Sequence, residues 1–107
     1  MERKQNNLPS LGSVIKRYNL FPQKKLGQNF ILESSLAERI ARAAGDLSDA
    51  DIVEVGPGPG GLTRALLNQK IKTIYAIERD IRCVNALKDI FLPIDNRVKI
   101  IAGDALE

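Results

Sequence analysis

Three carboxylates in this chain have the type and spacing to do chemistry: Glu54, Glu78 and Asp104. Glu54 stands two residues before Gly56 in the stretch Glu54-Val55-Gly56-Pro57-Gly58-Pro59-Gly60-Gly61. Glycines let the backbone approach a ligand closely, and a helix start behind them offers N–H groups. Gly56, Gly58 and Gly61 also match the G-x-G-x-x-G spacing of dinucleotide sites, so a nicotinamide cofactor is one reading. Glu78 follows Gly56 by 22 residues. That distance suits a carboxylate bonding the two hydroxyls of an adenosine ribose. Asp104 can accept from an adenine amino group. The plainer readings are a solvated strand end for Glu78 and a loop aspartate for Asp104.

Glu54 separates the candidate cofactors. A pyrophosphate beside a carboxylate is repelled, whereas the sulfonium and ammonium of S-adenosylmethionine are attracted. The alternative for Glu54 is a charge paired with a helix dipole. Electrostatics therefore favours S-adenosylmethionine over NAD. Other chemistries lack their residues. The chain has no His, which removes Ser-His-Asp triads and His-ligated metals. One cysteine, Cys83, cannot form a thiolate zinc cluster and reads as a small core residue. The turn lacks the Gly-Lys-Ser/Thr ending of an ATP phosphate loop. No metal is expected.

The elements that must position these groups follow from hydrophobic periodicity. Ser10 can cap a short helix with Leu11, Val14, Ile15 and Tyr18 on one face, and Lys16 and Arg17 facing away. Ser35 and Glu38 have capping-box spacing, and Leu36, Ile40, Ala43 and Ala44 form an apolar face that Gly45 ends. Ile52–Val55 reads as a strand, residues 61–69 as a helix, and Lys72–Ile77 as a second strand. Asp80 caps a fourth helix with Val84, Leu87, Ile90 and Phe91 inward, and Pro93 ends it. Val98–Ala102 is the third strand. The β-α-β-α-β alternation implies a parallel sheet in the spatial order 3-2-1, a Rossmann-like α/β fold. Strand one belongs mid-sheet in such folds, so a chain ending five residues after strand three is expected to be a piece of a longer protein.

One small domain is the most that 107 residues support. No apolar run approaches the about 18 residues of a membrane span, no secretory h-region is present, and a lone cysteine suits a reducing cytoplasm. The net charge is +3, but Arg3, Lys4, Lys16, Arg17, Lys24 and Lys25 against Glu2 give residues 1–25 a charge of +5. A basic arm suggests contact with a polyanion such as nucleic acid; a solvated terminus is the alternative.

Four segments then occur in a particular order: Lys25-Leu26-Gly27-Gln28-Asn29-Phe30-Ile31, the glycine turn through Leu62-Thr63, Ile77-Glu78-Arg79-Asp80, and Gly103-Asp104-Ala105-Leu106. Together they resemble the N-terminal part of the ribosomal RNA small-subunit adenine dimethyltransferases. Gly-Gln-Asn-Phe is the specific element, because many methyltransferases share only the glycine turn. The resemblance implies a class I S-adenosylmethionine-dependent methyltransferase fold, N-terminal half only. It divides the chain into a basic arm over 1–23 and a donor-binding part over 24–107. It implies N6-dimethylation of two adjacent adenines near the 3′ end of 16S rRNA, on the assembling small ribosomal subunit in the cytoplasm, by a monomeric parent protein. Asn29, Ile31, Gly56, Glu78 and Asp104 would contact the cofactor, and the helix over Leu11–Tyr18 would lie over its pocket. The family's Asn-(Leu/Ile)-Pro-(Tyr/Phe) catalytic segment is not within residues 1–107, so no catalytic residue is assigned and the fragment alone is expected to be inactive. A large-subunit rRNA adenine methyltransferase, a nicotinamide-dependent oxidoreductase and a non-catalytic RNA-binding fragment are the competing expectations.

Overall fold

A computed structural model describes residues 8–20 and 34–106. Its elements are α1 (Leu11–Arg17), α2 (Ser34–Ala43), β1 (Asp51–Val55), α3 (Gly61–Leu67), β2 (Thr73–Glu78), α4 (Ile81–Phe91) and β3 (Val98–Ala102). The three strands form one parallel sheet in the order β1-β2-β3, as the alternation predicts. Glu54 pairs in register with Ala76, and Ala76 with Ile100.

Side chains alternate across the sheet because successive Cβ atoms point to opposite faces. Ile74, Ala76, Glu78 and Val98 are buried on one face, where α4 supplies Val84, Leu87, Ile90 and Phe91. Val53, Val55, Tyr75 and Ile101 occupy the other face and are exposed among the described residues. Among the described residues β1 is bonded to β2 alone.

Local signals place two of the predicted caps. Ser10 Oγ accepts from Ser13 N at 3.1 Å, and Asp80 Oδ1 accepts from Arg82 N at 2.9 Å. Each satisfies one of the donors that a helix start leaves open. Val14, Ile15 and Leu20 of the α1 region enter the core, and Lys16 and Arg17 stay exposed. Gly45, at φ +82, follows α2 with its N–H on Arg42 O.

The structure corrects the α2 reading. The helix starts at Ser34, which puts Ser35 inside it rather than at its cap. Its buried side chains are Ala37 and Ala41, while Leu36 and Ile40 remain 41% and 40% exposed. α2 packs against α3. Two small residues at i and i+4 admit a close helix approach, so the contact falls on the alanines and not on the larger apolar stripe.

Two arginines tie elements together at long range. Arg97 grips Asp95 through Nε (2.9 Å) and Nη2 (2.7 Å), and also donates to the carbonyls of Leu67 and Gln69. It joins the end of α3 to the start of β3. Arg82 pairs with Asp80 and donates through Nη1 to Asn19 O at 2.8 Å, while Tyr18 Oη donates to Asp89 Oδ2 at 2.9 Å. The residues that follow α1 are therefore tied to both ends of α4.

Candidate donor-binding site

The carboxyl ends of the parallel strands gather Glu54, the glycine turn, Glu78 and Asp104. This is where open α/β sheets place their ligands. Asn29 and Ile31 fall outside the described residues.

The turn is built by backbone conformations that favour glycine. Gly56, Gly58 and Gly60 have φ of +66, +57 and +96. Gly56 N donates to Ile77 O at 2.8 Å, which anchors the turn to β2. The Gly56 N–H is thus committed. Gly60 also has a packing reason: a Cβ there would lie 2.7 Å from Phe91 Cε2. The turn consequently sits directly on α4.

Glu78 ends β2 only 6% exposed. Its Oε1 accepts from Gly58 N at 3.0 Å, and its Oε2 accepts from Asp80 N at 2.8 Å. The expected ligand carboxylate is therefore also a brace between the turn and the start of α4. A carboxylate offers about four acceptor positions, so one on each oxygen remains for a ligand. Sequence reasoning missed the brace; no local pattern announces a bond spanning 20 residues.

Glu54 is 8% exposed and accepts from Thr63 Oγ1 at 2.6 Å. Burial pushes its carboxyl up to about 7, against the opposing pull of the Thr63 bond and with added repulsion from Glu78. Among the described residues no cation offsets this burial. Thr63, fully buried in the first turn of α3, was not singled out from sequence, although it stands inside the matched turn segment.

Asp104 lies beside this pair. Gly103 N donates to Glu78 O at 2.9 Å, and Asp104 Oδ2 is 3.8 Å from Arg79 Nη1. Its Oδ1 accepts from Leu106 N. The side chain is 30% exposed and can meet a ligand. Cys83 is buried, and burial together with Glu78 and Asp80 pushes its thiol up to about 12. It is a packing residue, not a nucleophile.

Two further features were not anticipated from sequence. Arg64 Nε and Nη2 are buried without a hydrogen-bond partner among the described residues. A cavity of about 370 Å³ opens where Arg17, Tyr18, Asp89 and Ile94 meet, towards the far end of α4 from Asp80.

The chain is similar to known proteins in sequence and in fold. The family model for ribosomal RNA adenine dimethylase matches residues 21–107. The ribosomal RNA small subunit methyltransferases A of Chelativorans sp. and Brucella canis are 53% and 56% identical over 102 residues. Each alignment covers 95% of this chain and 37% of the relative, so the chain spans about a third of their length. A solved dimethyladenosine transferase from Plasmodium falciparum superposes with a TM-score of 0.63 at 26% identity, over 74% of this chain and 29% of that one. The described sheet and helices are part of the Rossmann-like class I methyltransferase fold.

Proposed function

The chain belongs to the ribosomal RNA adenine dimethylase family, and from that premise we propose that it is the donor-binding part of an rRNA adenine N6-dimethyltransferase. The proposed substrates are two adjacent adenines near the 3′ end of 16S rRNA, methylated in the cytoplasm as the small subunit assembles. The protein would act as a monomer.

The observation that carries the donor assignment is the pairing of Glu54 and Glu78 under one glycine turn. Both carboxylates are buried, and no cation pairs with either in the structure as described. A pyrophosphate entering here would meet two like charges; a sulfonium and an ammonium would relieve them. S-adenosylmethionine supplies an electrophilic methyl group. The chain's own residues bind and orient it. Glu78 would use its remaining acceptor positions on the ribose hydroxyls, and Asp104 would accept from the adenine amino group. The exposed backbone of Gly56 would border the methionine end, and its N–H, held by Ile77 O, would not take part. Asn29 and Ile31 would add contacts from the preceding segment. Methyl transfer to an amino nitrogen then needs alignment of donor and acceptor rather than a metal.

Calorimetric titration tests the assignment. Saturable binding of S-adenosylmethionine with none of NADH is expected, and the reverse would overturn it. A protein carrying this segment at the length of its relatives is expected to methylate undermethylated small subunits. Activity confined to large-subunit RNA would refute the proposed target.

A further inference from the structure

Glu54 and Glu78 are held in different ways. Glu78 takes a backbone N–H on each oxygen. Glu54 is reached, among the described residues, by the Thr63 hydroxyl alone, at Oε1. That bond crosses the glycine turn, from the last strand positions of β1 to the first turn of α3. The charged and titratable neighbours are few. β2 contributes Glu78, which repels; α3 contributes the uncharged Thr63; α4 turns Cys83 towards Glu78. Among the described residues the hydroxyl is thus the one group favouring an ionised, oriented Glu54. Charge-assisted O–H···O⁻ bonds of this length are among the stronger ones in proteins.

We propose that Thr63 is a positioning residue for the methyl donor: its hydroxyl fixes Glu54 Oε1 across the turn and leaves Oε2 for the donor's cationic methionine end. The proposal deepens the S-adenosylmethionine reading and rests on it. A purely structural Thr63 would be a filler of the core, and valine would serve as well.

The Glu54 carboxyl titration, followed by 13C NMR, and S-adenosylmethionine affinity at pH 7 are measured for the chain and for Thr63→Val and Thr63→Ser. Thr63→Val keeps the shape and removes the donor. It is expected to raise the Glu54 midpoint and weaken binding about tenfold, the scale of one lost hydrogen bond to a charge. Most of that loss should disappear at pH 9, and Thr63→Ser should restore both readouts. An unchanged midpoint in Thr63→Val would overturn the proposal alone. A raised midpoint with unchanged donor affinity would also overturn it, by confining the hydroxyl to stability. Failure of the unsubstituted chain to bind the donor would instead sink the cofactor reading, and the positioning role with it.

Discussion

Gly58 donates its backbone N–H to Glu78 at 3.0 Å, so the carboxylate that closes β2 holds the turn that follows β1. One side chain therefore joins the conformation of the turn to the readiness of the ligand site.

Glu78→Ala should show both roles. Removing the carboxylate leaves Gly58 N and Asp80 N without their acceptor, at about 1–3 kcal/mol of stability. Donor affinity should fall by about 1–3 kcal/mol as well, from lost ribose contacts. Denaturant unfolding and calorimetry on the same preparation check the two losses. Unchanged affinity with reduced stability would leave only the brace.

The Glu54 carboxyl gives the fold a pH dependence of definite sign. Its folded value is raised to about 7 from an ordinary 4.5, so between these limits the folded state binds the more protons. Stability contributed by this group is complete below about pH 4.5 and is lost as pH rises through about 7, by up to about 3 kcal/mol. Donor affinity should run the other way and strengthen across the same window, because a cation favours the ionised form. Glu54→Gln should flatten this part of the stability profile, which urea unfolding from pH 5 to pH 8 would measure.

Gly60→Ala is expected to cost about 2–4 kcal/mol, combining a strained φ with overpacking against Phe91. Because the added methyl meets the Phe91 ring, Phe91→Leu in the same chain should recover part of the loss. Strict additivity in the double-mutant cycle would contradict that contact.

Arg97→Ala should destabilise by about 1–3 kcal/mol by removing the side-chain bonds to the Leu67 and Gln69 carbonyls and to the Asp95 carboxylate. Arg97→Lys should not restore the loss, since an ammonium cannot reproduce the planar fork. Thermal unfolding of the three proteins distinguishes the outcomes.

Local rules carried most of the fold. Ser10, Asp80 and Gly45 act on backbone groups within a few residues, so their roles are readable from spacing. The βαβαβ order follows from the change of apolar period between strands and helices. The buried face of α2 was not readable, because Ala37 and Ala41 are chosen by α3, a partner distant in sequence. Arg97, Thr63 and the brace from Glu78 to Gly58 are likewise long-range. Their residue types fit many surface roles until the chain is folded. At the site, the converging carboxylates were legible because strand ends are predictable from the sheet, whereas how each is hydrogen-bonded was not.

The β1–β2 ladder bears on how the site moves. Glu54 rides on β1 and Glu78 on β2, hydrogen-bonded neighbours in the sheet. Local opening of a ladder takes less free energy than global unfolding, so it can separate the two carboxylates without melting the core. A ligand that bridges them would act as a clasp across the β1–β2 ladder. Its arrival should slow amide hydrogen exchange at β1 and β2 more than at β3.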